Sequence, residues 1–291
     1  MSAPPVVRLP EWARKSSPLA RGARGVRVLL REGGLHTVCE EARCPNLGEC
    51  FSRGTATFML LGDRCTRRCG YCSVRTERPL PPDPGEPGRV AEAVARMRLR
   101  YVVLTSVNRD DLADGGAAHF AATVREVRRA APGASVEVLT PDFQGDLAAL
   151  ATVLEAAPEV FNHNIETVPR LFPRLRRQGD FQRSLEVLAA ARAHRPSLQT
   201  KSGLMVGLGE MDEEVERVLL ELRAVGVDIV TIGQYLRPSR GHEPVRRYVP
   251  PDGFAVFEAR ARALGFPVVH SGVFVRSSYG AEEVYREGGR R

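Results

Sequence analysis

At 291 residues, with 43% hydrophobic and 26% charged side chains, the chain has the composition of a soluble globular protein with room for one sizeable core. Its formal charge of +7 comes almost wholly from arginine, since only Lys15 and Lys201 are lysine, and 6% aromatics leave little surface for stacking bases, which argues against nucleic acid. No apolar run approaches the ~18 residues of a membrane span, and MSAPPVVRLPEWARKSSPLARG lacks the apolar core of a signal peptide, so the sequence predicts a cytoplasmic protein that needs no membrane.

Residues 1 to about 35 are rich in Pro and Arg, with a weak helical pattern around Val26–Glu32. All six cysteines follow, between Cys39 and Cys72. From Thr57 onward, short apolar runs alternate with helix-like stretches. Strands are predicted at 57–62, 101–107, 135–141, 160–166, 200–208, 227–236 and 266–272, each rich in Val, Ile, Leu or Thr and bounded by turn residues. Amphipathic helices are predicted at 88–100, 117–131, 145–157, 181–195, 212–226 and 252–265, with Asp212 as a cap and Gly226 and Gly265 at helix ends. The proline-rich RPLPPDPGEPG reads as an extended connector.

Alternating β and α imply an α/β fold with a parallel sheet. The repeating part is about 215 residues, short of the ~250 of a full eight-fold barrel. A partial (β/α)6-type TIM barrel, of six strands or six plus one, is therefore expected over 57–272. An N-terminal cluster-binding extension (1–56) would precede it and a C-terminal extension (273–291) would follow. A flat doubly wound sheet is the alternative. In such barrels chemistry sits at the C-terminal strand ends. There the sequence places Asp63, Asn108–Asp111, Asn164, Glu166, Gln234, Tyr235 and Arg237, with His163, Lys201 and Ser202 inside strands.

The second cysteine triplet, CTRRCGYC (Cys65, Cys69, Cys72), lies just after the first long strand. Three thiolates on a short loop can hold three irons of a cubane cluster, leaving the fourth open to a small molecule. Arg64, Arg67 and Arg68 are expected to favour thiolate over thiol. Zinc is the main alternative, but its sites usually pair four ligands across a longer spacer. The first triplet, CEEARCPNLGEC (Cys39, Cys44, Cys50), again offers three thiols and predicts a second cluster with one position open. A two-cluster electron carrier would also need paired clusters, but it would not need the barrel.

The C-x3-C-x2-C spacing, with Tyr71 before its last cysteine, resembles the signature of the radical S-adenosylmethionine (SAM) superfamily. Together with GLHTVCEEARCPN (34–46), RDDLADGGA (109–117), HNIETVPRLFPRLR (163–176), KSGLMVGLGE (201–210), DIVTIGQYLRPS (228–239) and VRSSYGA (275–281), it resembles the lipoyl synthase family from about residue 25 to 285. The resemblance implies two 4Fe-4S clusters and SAM as cofactors, and insertion of two sulfur atoms at C6 and C8 of an octanoyl chain on a carrier lysine. The Cys65/Cys69/Cys72 cluster would bind SAM and cleave it to a 5′-deoxyadenosyl radical. The Cys39/Cys44/Cys50 cluster would be consumed as the sulfur source, its fourth ligand being Ser278, with Ser277 as the fallback.

Implied partners are octanoylated lipoyl domains of 2-oxoacid dehydrogenase E2 or glycine cleavage H protein, and an electron donor. Tyr71, Thr105, Asn108, Glu166, Lys201, Gln234 and Arg237 are the expected SAM contacts, and the glycines of GLMVGLGE would admit the adenine. A different radical SAM reaction, such as thiolation of an RNA or a ribosomal protein, is the competing expectation.

Overall fold

The computed structural model describes residues 8–15, 21–53 and 55–289. The N-terminal part holds α1 (Arg21–Glu32), β1 (His36–Thr37), α2 (Val38–Glu41) and α3 (Leu47–Ser52). Strand β2 (Thr57–Leu60) starts the main sheet, and a two-residue parallel ladder, β3 (Arg64–Cys65) with β4 (Arg75–Thr76), closes the loop of the second triplet. Then come α4 (Glu86–Arg96), β5 (Tyr101–Ser106), α5 (Ala117–Ala130), β6 (Ser135–Leu139), α6 (Leu147–Glu155) and β7 (Val160–Asn162). The chain continues through α7 (Phe172–Leu175), α8 (Phe181–His194), β8 (Gln199–Val206), α9 (Asp212–Ala224), β9 (Ile229–Gln234), α10 (Pro251–Ala263), β10 (Val268–Gly272) and α11 (Ala281–Gly288).

The sheet order is β1-β2-β5-β6-β7-β8-β9-β10, parallel throughout except for β1, which runs antiparallel to β2. Among the described residues β10 pairs only with β9, so the barrel stays open beyond it. All seven predicted long strands and all six predicted helices are present, giving the six-plus-one arrangement. Two local readings are corrected. Helix α4 begins at Glu86, inside the predicted connector, because Pro87 sits in the first turn where its missing N–H costs nothing. Asp212 lies within α9 and pairs with Arg247 (2.7 Å), while Glu214 reaches back to accept from the Met211 N–H (2.8 Å).

Two features of the interior position the site. Inside the barrel, Lys201 Nζ on β8 donates to both carboxylate oxygens of Glu137 on β6 (2.9 and 3.0 Å). Tyr101 OH (2.7 Å) and Asn162 Nδ2 (2.9 Å) donate to the same carboxylate, so one buried anion ties β5, β6, β7 and β8 together. Helix α11 closes the end where the strands begin. Its Ala281 and Val284 join Tyr101, Val160, Ile229 and Val268, the first residues of their strands, in an apolar cluster separate from the main core. Arg100 and Glu282 pair at its rim (3.2 Å).

Candidate functional site

The second triplet lies on a loop fastened from three sides. Thr66 N donates to Asn108 O (3.1 Å), Gly70 N donates to Leu175 O (2.8 Å), and Glu243 N donates to Gly70 O (2.9 Å). Arg67 is buried as a double fork: its guanidinium donates to Asp110 (2.7 and 2.8 Å) and to Asp142 (2.6 and 3.0 Å). Its charge is therefore matched by two carboxylates and serves the loop's shape, not the thiols as expected from sequence. The cation that favours the Cys69 thiolate is Arg176, at the end of α7.

Cys65 Sγ accepts from the backbone N–H groups of Arg67 (3.4 Å) and Asn108 (3.3 Å), the kind of contact that stabilises a metal-bound thiolate. Burial pushes the Cys72 thiol up to about 12 and raises that of Cys69, so these sulfurs stay protonated unless a metal takes the proton's place.

The first triplet sits on α2, α3 and the turn between them, at the barrel's open side. Cys44 N donates to Cys39 O (3.0 Å), and Thr55 N and Oγ1 donate to Cys50 O (2.9 and 2.8 Å). Burial, followed by the nearby Cys44, pushes the Cys39 thiol up to about 12; the same two causes raise that of Cys50. In each triplet the sulfurs that influence a given thiol belong to its own triplet, which marks two separate groups.

Among the described residues, the one set of three or more His, Cys, Asp or Glu ligand atoms within 4.8 Å of one another is His36, Glu41 and Asp63. Neither cysteine triplet is that tight. Zinc–sulfur bonds of ~2.3 Å would bring tetrahedral thiolates to roughly 3.8 Å from each other, so the wider spread suits a polynuclear cluster.

The segment after β10 lies against the first group. Val275–Glu283 line the same cavity as Cys39, Cys44 and Cys50. Asn46 Nδ2 donates to Phe274 O (2.7 Å), Tyr279 OH donates to Glu49 (2.9 Å), and Lys15 reaches both Asn46 (2.7 Å) and Glu49 (2.6 Å). Ser277 Oγ donates to Asn164 Oδ1 (2.8 Å). Arg276 lies half-buried beside Cys44.

Two cavities meet here. One, of about 430 Å³, runs from the first triplet into the barrel, past Gly203, Met205 and Thr231 to Val103 and Tyr101. The other, of about 920 Å³, lies over the second triplet and the ends of β5, β6 and β7. Val38, Tyr71, Cys72, Leu139, Asn164 and Glu166 face both, so one layer of side chains forms the partition. Ser106 Oγ, Asn108 Oδ1 and Thr140 Oγ1 are buried on the second cavity's wall without a protein partner, as polar groups awaiting a polar ligand would be.

Of the expected SAM contacts, Tyr71, Thr105, Asn108 and Glu166 line the second cavity. Thr105 Oγ1 already donates to Leu139 O (2.9 Å). Arg237 lines the first cavity and donates to His242 O (2.8 Å), bracing the loop whose His242 bonds Cys72 O (3.0 Å).

Lys201 and Gln234 reach neither cavity wall. Lys201 is held by Glu137, and Gln234 is fully buried, with Nε2 donating to three carbonyls (3.0–3.2 Å) and Oε1 accepting from Val249 N (2.9 Å). Gly207 and Gly209 likewise line neither. A Cβ on Gly207 would strike the Gln234 amide (2.2 Å), so close packing requires that glycine. Sequence reading missed Arg176 and Arg276, two of many arginines, and gave Asn164 no ligand role.

A model of the radical SAM superfamily matches residues 59–233, and one described as the N-terminal domain of lipoyl synthase of that family matches residues 3–44. The chain is 56% identical to a lipoyl synthase of Nitratidesulfovibrio vulgaris, covering 97% of this chain and 94% of the relative. It is 57% identical to one of Chloroflexus aurantiacus, covering 94% and 90%. Among solved structures it shares a fold with the hydrogenase maturase HydG of Carboxydothermus hydrogenoformans (TM-score 0.57, 13% identity, 92% and 78% covered). Methylornithine synthase is a second such neighbour (TM-score 0.53, 16% identity, 88% and 84% covered).

Proposed function

The chain belongs to the lipoyl synthase family of the radical SAM superfamily, and on that premise we propose which of its residues carry the activity. The enzyme is a radical SAM sulfurtransferase. It inserts two sulfur atoms, at C6 and C8, into an octanoyl chain on a lipoyl-domain lysine, using SAM and two 4Fe-4S clusters, the auxiliary one being consumed as sulfur donor.

Cys65, Cys69 and Cys72 hold the cluster to which SAM binds; when bound, that pair supplies hydrogen-atom abstraction from unactivated C–H bonds. Tyr71, Asn108 and Glu166 orient SAM, helped by Thr105, while Arg237 keeps the His242 loop pressed on Cys72. Cys39, Cys44, Cys50 and Ser278 hold the donor cluster, which is a substrate of the reaction. Ser278 is preferred over Ser277 because the Ser277 hydroxyl already donates to Asn164 (2.8 Å). In this reading residues 1–56 carry the donor cluster, 57–272 form the barrel, and 273–291 bring the serine. The octanoyl chain enters the apolar interior lined by Val103, Leu139 and Met205, where water is excluded and both half-sites lie within reach.

The observation that carries this assignment is the partition: two thiol groups face two cavities that share Tyr71, Cys72, Asn164 and Glu166 as a common wall. The carrier is an E2 lipoyl domain or the glycine cleavage H protein, and a reductant delivers the electron. We place the protein in the cytoplasm, where six free thiols stay reduced; no described helix is long and apolar enough to cross a membrane.

Anaerobically prepared protein should hold about eight irons, two cubanes' worth. Cys44→Ala should abolish sulfur insertion into an octanoylated carrier while 5′-deoxyadenosine is still formed. Loss of both activities would refute the division of labour.

A further inference from the structure

The chain from Val275 to Ser277 runs against the cavity-facing side of β8 and β9, with Val275 buried there. Two strand glycines make room for it. A Cβ on Gly233 would fall 2.2 Å from Val275 O, and one on Gly203 would fall 2.5 Å from Thr231 Oγ1, 2.9 Å from Asn164 Oδ1 and 3.0 Å from Ser277 Oγ. Of this segment's side chains Ser277 makes the bond to the strand ends, donating to Asn164 Oδ1 (2.8 Å).

The other half of the Asn164 amide points the opposite way: Nδ2 donates to Glu166 Oε1 (3.1 Å). Glu166 holds a left-handed backbone (φ +70°), a conformation a glutamate adopts only where its surroundings impose it. Its N–H donates to Gly203 O (2.9 Å) and its carbonyl accepts from Met205 N (2.9 Å), which fixes it to β8 beside the threaded segment. One amide thus sits in the partition, its oxygen bonded to the segment after β10 and its nitrogen to Glu166, which faces both cavities.

We propose that Asn164 is a positioning residue that ties the segment bearing Ser278 to Glu166, so that donor-cluster ligation and the SAM-side wall are set by one side chain. The proposal rests on Ser278 being the donor-cluster ligand. A hydroxyl next to a clamped neighbour is presented to Cys39, Cys44 and Cys50 in one orientation. An unclamped segment would offer either serine, or neither.

The test is hydrogen exchange of peptide 274–280 in the full-length, anaerobically isolated protein, set beside product ratios. Asn164→Ala and Ser277→Ala should each speed exchange of that peptide by about five- to tenfold, the loss expected for one hydrogen bond. Each should also lower the sulfur inserted per 5′-deoxyadenosine formed, and the double variant should be no worse than either single one. Asn164→Asp keeps an acceptor for Ser277 but loses the donor to Glu166, so it should leave exchange near wild type and raise the KM for SAM. Unchanged exchange in both single variants, or additive effects in the double one, would overturn the tie. Ser278→Ala separates the premise from the inference: full sulfur insertion there would remove the ligand reading, while the exchange data would still judge the Asn164 contact. If Asn164→Ala fails to fold, Ser277→Ala and Asn164→Asp carry the same comparison.

Discussion

Gly233 has the least room of the strand glycines facing the site. Its added Cβ would meet a backbone carbonyl, which cannot rotate aside as a side-chain tip can. Gly233→Ala should therefore push Val275 away from β9, at the 1–3 kcal/mol typical of overpacking. The expected readouts are a lower denaturation midpoint and loss of about half the bound iron, with the SAM-side cluster retained. Full iron content in a stable variant would count against the cradle.

His163 gives a second prediction at this scale. Burial, then the nearby Arg176, lowers its pKa to about 4; Asp142 opposes this and Arg67 adds to it. Its ring contacts Thr140 O (2.9 Å), Ser184 Oγ (3.1 Å) and Arg176 (3.4 Å), leaving no open face for a proton's charge. Between the unfolded value near 6.5 and the folded value near 4, the unfolded chain binds a proton that the folded chain refuses. The stability conferred by the neutral ring is thus full above ~6.5 and falls with pH through that window, by about 3 kcal/mol in all. His163→Gln should flatten the pH dependence of the urea midpoint there, and an unchanged slope would assign the acid sensitivity to other groups.

The division of the cysteines into two triplets was legible because short spacing along the chain keeps each set together in space. Asn164 was not, since its meaning comes from Ser277, which lies 113 positions away. Arg176 was hidden for a different reason: in an arginine-rich chain, only burial beside Cys69 sets it apart from solvated neighbours.

At the scale of elements, the long strands and helices could be read because each carries its own periodicity and breakers. Strand β1 and helices α2, α3 and α11 could not. They are two to eight residues long and hold their shape through tertiary contacts, where isolated segments of that length would not persist. Lys201 was legible as a polar residue in an apolar strand but its purpose was not, because Glu137 belongs to another strand.

That pair is the natural test of the interior. Lys201→Met would leave Glu137 buried without its cation and should cost about 3–5 kcal/mol in chemical denaturation. Replacing Glu137 by Leu as well should restore much of that loss, since a well-packed apolar pair often matches a buried ion pair. Equal damage from the single and double variants would mean that Tyr101 and Asn162, which also bond Glu137, dominate the network.

For the whole molecule, the relevant quantity is the charge of +7, carried almost entirely by arginines. An arginine-rich surface would attract a carrier domain of net negative charge over distances comparable to the screening length, about 10 Å at 0.1 M salt. The KM for the octanoylated carrier domain should accordingly rise severalfold as salt is raised from about 0.05 to 0.5 M, with kcat little changed. A short octanoylated peptide of neutral charge should show no such rise. If both substrates respond alike, the basic surface is unrelated to docking.

The bonds that close the cavity around Cys39, Cys44 and Cys50 also bear on how the chain folds. Asn46 meets Phe274 across 228 positions and Glu49 meets Tyr279 across 230, while each barrel strand pairs with a neighbour much nearer along the chain. Closing such distant loops carries an entropic delay that local βα units do not face. Refolding should therefore restore far-ultraviolet ellipticity well before the two ends of the polypeptide meet. During that interval an otherwise native barrel would expose its first three thiols to solvent oxidants.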